Sequence, residues 1–143
     1  LISPTRIDLS DPRGENVYTL QVRLKVAGDY PPSYVVQRWS IEGQHTHSTD
    51  TLADEQEPEY LTDEAKVWNR LRITRTEDTL DFYVTTLDDP DDAASWKAWK
   101  HVYSVPASDL PQKVYVGLFA AHVKGYDYPI EFHYDNVHFD AHP

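Results

Sequence analysis

The chain has 143 residues, of which 13% are aromatic, and a formal net charge of −11 at pH 7. Its length favours one domain with a sizeable core, and its aromatic content excludes a disordered chain. The acidic balance makes nucleic acid a poor partner, because phosphate binding needs a basic face. The sequence has no Cys, which excludes a disulfide framework, and no apolar run reaches the ~18 residues of a membrane-spanning helix.

The chain begins at Leu1 and contains no Met, which favours a processed or excised piece of a larger secreted protein. Residues 1–143 contain no internal repeat and no interior linker. We therefore expect them to form a single domain.

The first half of the chain predicts several strands. Residues 5–9 are a candidate edge strand, and residues 18–26 alternate so regularly that one face should be buried and the other wet. Residues 33–41 form a further strand, with Val35 and Trp39 on one face and Tyr34 and Val36 on the other. Residues 44–48 extend this meander. Residues 52–66 are acidic and lack a strand pattern, so we expect a loop there, with one helical turn at residues 62–65.

The clearest pattern is a β-hairpin formed by residues 68–75 and 80–85, in which apolar and polar residues alternate. A loop at Glu77 and Asp78 fixes the register, since a slip of one residue would turn every side chain over. The cross-strand pairs that follow are Ile73–Phe82 and Leu71–Val84 on the core face, and Arg72–Tyr83 and Arg70–Thr85 on the opposite face.

Three further strands are predicted at residues 99–105, 114–121 and 130–139. In residues 114–121, Val114, Val116 and Leu118 should hold the strand to the core. In residues 130–139 the apolar residues lie on one face of the strand in its first half and on the other face in its second half. This change of face predicts a bulge near Asp135 and Asn136. Many strands, short turns and no long helix predict an all-β protein made of two stacked antiparallel sheets.

Residues 68–75, 114–122 and 132–137 resemble those of the concanavalin A-like lectin/glucanase superfamily. More narrowly, they are similar to the laminin-G-like and DUF1349-type accessory modules of bacterial extracellular enzymes. This resemblance implies a jelly-roll β-sandwich, an extracellular or cell-surface location, frequent glycan binding and sometimes a structural Ca²⁺.

Glycan recognition needs flat aromatic rings beside polar groups, because sugars offer C–H patches surrounded by hydroxyls. Tyr126 and Tyr128 are strong candidates, since they lie in a Gly/Pro loop at residues 124–129. Trp39 and Trp99 can also be core residues, because Trp is usually mostly buried. The predicted ligand-binding residues are Tyr126, Tyr128, Trp96, Trp39, Arg72 and Tyr83, with Trp99 and Arg70 beside them.

Asp88, Asp89 and Asp91, followed by Asp92, are candidate Ca²⁺ ligands, because Ca²⁺ takes 6–8 oxygen ligands. The alternative is a solvated acidic loop. Metal-ligand spacing also occurs in His45-x-His47 and in residues 131–135.

The sequence contains neither the paired carboxylates of the superfamily's glucanases nor a nucleophile motif. We therefore predict a non-catalytic carbohydrate-binding module whose partner is an oligo- or polysaccharide. Two alternatives remain open. One is a small glycan-active hydrolase or lyase that uses His and Tyr on the concave sheet, and the other is a structural spacer or adhesion domain.

Overall fold

The computed structural model describes residues 2–3, 15–23, 33–42, 45–55, 68–89, 91–92, 94–110, 114–118, 134–135 and 137–138. These residues form strands joined by loops, and the only helical element among them is a 3₁₀ turn at Ala107–Asp109. The strands are β1 (Ile2–Ser3), β2 (Glu15–Arg23), β3 (Ser33–Glu42), β4 (His45–Glu55), β5 (Asn69–Arg75), β6 (Thr79–Thr86), β7 (Lys100–Pro106) and β8 (Tyr115–Val116). The predicted all-β class is confirmed.

The strands form two antiparallel sheets. A five-stranded sheet has the order β4-β3-β2-β1-β8, and a three-stranded sheet has the order β5-β6-β7. Strands β2, β3 and β4 form a meander, as the sequence indicated. The short strand β1 lies between β2 and β8, although these two strands are far apart in the chain.

The two sheets share one hydrophobic core. Tyr34 from β3 and Phe82 from β6 are fully buried in it, and each large apolar side chain buried in this way contributes about 1.5–3 kcal/mol. The Tyr34 hydroxyl donates to Asn69 Oδ1 at 2.7 Å. The one polar group of this buried side chain is therefore hydrogen-bonded to a residue of the other sheet. The buried members of the core are Tyr18, Leu20, Tyr34, Val36, Leu80, Phe82, Val84, Val102, Val105 and Leu110.

The hairpin formed by β5 and β6 has the predicted register, and the predicted pairs all occur. The loop at Glu77 and Asp78 is closed by the Thr76 amide, which donates to the Thr79 carbonyl at 2.8 Å. The core placement of Leu71 is wrong, however, because this side chain is 44% exposed. Among the described strands β5 has a neighbour on one side only, which is consistent with the incomplete cover of its apolar face.

The predicted strand at residues 33–41 is confirmed by β3, but the wet face expected for β2 is not found along its length. Val17 and Thr19 point away from Tyr18 and are nevertheless buried, as is Val35 on the neighbouring strand. At these positions both faces of the five-stranded sheet are covered. The polar residue Thr19 therefore does not mark a solvent-facing position.

Strand β4 is longer than predicted. It continues to Glu55, so residues 52–55 lie in a strand and not in the expected loop. Leu52 and Ala53 pack against the core, and backbone pairing with β3 holds this acidic segment in the sheet. Lys100 Nζ from the opposite sheet lies 3.2 Å from Glu55 Oε2, which gives the carboxylate a partner across the molecule.

In the C-terminal part, Val114 packs against the core, but Val116 and Leu118 are 47% and 55% exposed. Their predicted role in holding the strand to the core is therefore wrong. Strand β8 pairs with the two-residue strand β1, and so short a pairing covers little of either face. The predicted elements at residues 5–9 and 62–65, and most of that at 130–139, lie outside the described residues.

Candidate functional site

The outer face of the three-stranded sheet, which points away from the shared core, collects aromatic rings and guanidinium groups. We call this surface the aromatic–arginine face, and it consists of Arg70, Arg72, Tyr83, Trp96 and Trp99. Arg70 and Arg72 are two positions apart on β5, so they share one side of the strand. Tyr83 is the cross-strand partner of Arg72, and it occupies the central strand of the sheet.

The two tryptophans come from the segment that leads into β7. This segment lies along β6, where Leu87 and Trp96 form an antiparallel bridge and the Lys97 amide donates to the Thr86 carbonyl at 3.0 Å. The Thr85 hydroxyl also donates to the Lys97 carbonyl at 2.7 Å. Hydrogen bonds to the backbone amide and carbonyl of Lys97 therefore place Trp96 and Trp99 next to the hairpin.

The cations lie directly over the rings. Arg70 Cζ is 3.6 Å from the centroid of the Trp96 ring, and Arg72 Cζ is 4.7 Å from the Tyr83 centroid and 4.5 Å from the Trp99 centroid. Such contacts contribute roughly 0.5–1 kcal/mol each at exposed sites. They restrain long, flexible side chains while the surface stays open, since Trp99 remains 39% exposed.

Both guanidinium groups lack an ion pair with any described residue. Two other described arginines have polar partners: Arg38 binds the Asp50 carboxylate, and Arg75 donates to the carbonyls of Ala107 and Leu110. The aromatic–arginine face therefore offers flat apolar rings together with charged hydrogen-bond donors.

A polar cluster borders this face. The Ser104 hydroxyl donates to Asp81 Oδ1, and His101 Nε2 lies 2.8 Å from Ser104 Oγ and 3.5 Å from Asp81 Oδ1. The hydrogen bond from Ser104, together with that from Thr79, lowers the pKa of the Asp81 carboxyl against the opposing effect of burial. The His101 ring meets Tyr83 edge-on, with centroids 5.2 Å apart, so the cluster adjoins the aromatic–arginine face.

The cluster contains the residue types of a nucleophilic triad but not its hydrogen-bond order. In a triad the serine proton is directed to the histidine, and the carboxylate orients the other side of the imidazole. Here the Ser104 proton is directed to Asp81, and His101 uses the same ring nitrogen towards both partners. The arrangement holds the carboxylate in its charged form and does not activate Ser104.

The structure brings together three of the predicted ligand-binding residues, Arg72, Tyr83 and Trp96. Trp39 lies elsewhere: it is half-buried on the five-stranded sheet, where its indole donates to Gln37 Oε1 at 3.1 Å. Tyr126 and Tyr128 lie outside the described residues. Sequence reasoning missed the polar cluster of Asp81, His101 and Ser104. The available signal was that Asp81 is two positions from Tyr83 on β6 and therefore lies on the same outer face.

The acidic loop before Trp96 is held by its own carboxylates. Asp89 Oδ1 accepts from the Asp91 amide at 3.0 Å, and Asp92 Oδ1 accepts from the Ala94 amide at 2.9 Å. No group of three or more His, Cys, Asp or Glu residues within the described ranges has an arrangement that could hold a metal ion. The Ca²⁺ site at Asp88, Asp89 and Asp91 stays a prediction.

No protein-family model, curated protein or solved structure matches the chain. The resemblance to concanavalin A-like proteins therefore stays a prediction. Within the part of the chain that the structure describes, no helix is long and apolar enough to cross a membrane.

Proposed function

We propose that the protein is a carbohydrate-binding module and that the aromatic–arginine face is its binding surface. The observation that supports this most directly is that the Arg72 guanidinium contacts the rings of both Tyr83 and Trp99. A sugar ring can stack its C–H face on an aromatic ring while its hydroxyls accept hydrogen bonds from neighbouring guanidinium groups. The face offers both kinds of contact on one side of a sheet.

Preorganisation supports the same function. Tyr83 lies in β6, and hydrogen bonds to residues 85–87 hold the segment that carries Trp96 and Trp99. The cation–π contacts restrain the arginine side chains before a ligand arrives. Immobilising a flexible side chain on binding costs about 0.5–1.5 kcal/mol, so restraint in the free protein favours affinity. Residues held by a sheet, as Tyr83 is within β6 and Trp96 is by its bridge to Leu87, suit a binding site better than residues of a free loop.

The finer features of the proposal are a single concanavalin A-like jelly-roll β-sandwich domain and an extracellular or cell-surface location as part of a larger protein. Two antiparallel sheets around one core are compatible with this architecture. A structural Ca²⁺ at the acidic loop and a second contact surface at Tyr126 and Tyr128 also belong to the proposal.

Isothermal titration against a glycan panel tests the function, with Trp99→Ala as the variant and Leu71→Ala as its matched control. Trp99 lies on the outer face, whereas Leu71 is a similarly exposed apolar side chain on the opposite face of β5. We expect Trp99→Ala to weaken glycan binding by roughly tenfold, because stacking contributes on the order of 1 kcal/mol or more. Leu71→Ala should leave the affinity unchanged.

The same assay separates the alternatives. Turnover of a glycan would support a hydrolase or lyase, and the lack of binding on a broad panel would support a structural spacer. If Trp99→Ala binds normally while Tyr126→Ala with Tyr128→Ala does not, the binding surface lies at residues 124–129 and not on the three-stranded sheet.

A further inference from the structure

Building on the carbohydrate-binding function proposed above, we propose that the aromatic–arginine face selects acidic oligosaccharides. Arg72 is the main contact for a carboxylate or sulfate group on the sugar, and Arg70 is a secondary contact. The class of ligand follows from two guanidinium groups that form no ion pair with any described residue.

Among the described residues Arg72 has no acidic partner, although acidic groups are plentiful in the sequence. The sequence contains 24 Asp and Glu residues against 13 Lys and Arg residues. Arg38 on the five-stranded sheet is paired with Asp50, whereas Arg72 contacts only aromatic rings among the described residues. An exposed guanidinium held away from carboxylates is available to an anion from outside.

The aromatic contacts leave the donors of Arg72 available. A guanidinium that lies over aromatic rings uses its π-system, and its five N–H donors are arranged along its edge. This planar fork matches the two oxygens of a carboxylate or sulfate, and such charge-assisted bidentate pairs are about twice as strong as neutral hydrogen bonds. Tyr83 and Trp99, the two rings that Arg72 contacts, would support the sugar ring that bears the anion.

The surroundings favour Arg72 over Arg70. Arg70 lies over Trp96, which follows the acidic loop containing Asp89 and Asp92. Arg72 lies over Tyr83, whose neighbour on the other side is His101. The Asp81 carboxylate, two positions from Tyr83 on β6, accepts hydrogen bonds from Ser104 and Thr79 and lies 3.5 Å from His101 Nε2, which can carry a positive charge.

The net charge of −11 does not exclude an anionic ligand at this face. At physiological ionic strength the Debye length is about 8 Å, so exposed carboxylates beyond that distance are largely screened. A nucleic acid is disfavoured, because it presents many phosphates along an extended backbone and needs a correspondingly extended basic surface. A sugar with isolated acidic groups needs only one or two cations.

The test compares matched acidic and neutral ligands by isothermal titration. Oligogalacturonides and their fully methyl-esterified forms probe carboxylates, and a sulfated galactan oligosaccharide and its desulfated form probe sulfates. We expect at least one acidic ligand to bind about tenfold or more tightly than its neutral counterpart, as one charge-assisted contact predicts. If only the carboxylate pair or only the sulfate pair shows this preference, that result identifies the acidic group that the protein binds.

Arg72→Gln should abolish this preference, and Arg70→Gln should reduce it less. Arg38→Gln is the matched control, because it removes an exposed arginine from the other sheet and should leave binding unchanged. Circular dichroism melts of all three variants would show whether each remains folded. A folded Arg72→Gln variant that keeps the full preference would overturn the assignment of Arg72.

Two further outcomes separate this inference from the function on which it rests. Equal affinity for acidic and neutral glycans would overturn the selectivity and leave the carbohydrate-binding function standing. The lack of binding to any glycan would overturn both. A short single-stranded oligodeoxynucleotide that binds as tightly as the acidic glycans would show a general anion site and would also overturn the inference.

Discussion

The Asp81 carboxylate on β6 accepts a hydrogen bond from Ser104 on the neighbouring strand β7. Its pKa is lowered chiefly by the hydrogen bond from Ser104, then by Thr79 and by the charge of His101, while burial acts in the opposite direction. A carboxyl group with a lowered folded-state pKa stabilises the protein above its unfolded-state value, and this contribution is lost as the pH falls through the folded-state value. The relevant window therefore begins near the ordinary value of 3.8 and extends below it.

We expect Asp81→Asn to lower the free energy of unfolding at pH 7 and to reduce its loss below about pH 4. Denaturant titrations of the two proteins between pH 7 and pH 2.5 measure the difference. Asp78→Asn is the control, since Asp78 is exposed in the hairpin loop. If the free energy of unfolding varied with pH in the same way for the natural protein and for Asp81→Asn, a stabilising role of the Asp81 carboxylate would be contradicted.

At the scale of elements, the acidic loop positions Trp96. The Asp88 amide donates to the Ser95 carbonyl at 2.8 Å, which closes the loop, and the Asp89 carboxylate accepts from the backbone inside it. Trp96 follows directly and forms an antiparallel bridge with Leu87, the residue after β6. The carboxylates therefore have a structural role that does not require a metal ion.

Two substitutions separate this role from Ca²⁺ binding. Asp89→Asn keeps the acceptor oxygen and should change stability little, whereas Asp89→Ala should cost about 0.5–1.5 kcal/mol. Thermal melts with Ca²⁺ and with a chelator make the comparison. A Ca²⁺-dependent rise in Tm that Asp89→Asn abolishes would instead show that the loop binds the ion.

At the scale of the whole molecule, stability depends on how the two sheets cover each other. Phe82 and Leu71 both have the core-facing parity of the hairpin, yet Phe82 is fully buried and Leu71 is 44% exposed. The difference matches the order of the described strands, in which β6 has a neighbour on each side and β5 has one on a single side.

We expect Phe82→Ala to lower the free energy of unfolding by about 3–5 kcal/mol, the usual cost of a large cavity in a core. Leu71→Ala should cost less than about 1 kcal/mol, as do most exposed substitutions. Chemical denaturation followed by circular dichroism measures both. Similar losses for the two variants would mean that the edge strand is covered in solution.

Local periodicity in the sequence was enough to predict the hairpin, its register and the outward placement of Arg72 and Tyr83. The reason is that alternation with a period of two assigns each strand residue to a face without reference to the rest of the chain. Part of the candidate site therefore follows from the sequence alone.

Only the tertiary structure decided what lies next to that hairpin. The position of Trp99 over Arg72 depends on the pairing of β7 with β6, and the exposure of Leu71 depends on sheet order. The burial of Thr19 and the strand at residues 52–55 likewise depend on neighbours distant in the chain. These contacts join segments whose local patterns carry no information about one another, so the complete aromatic–arginine face emerges only when the strands assemble.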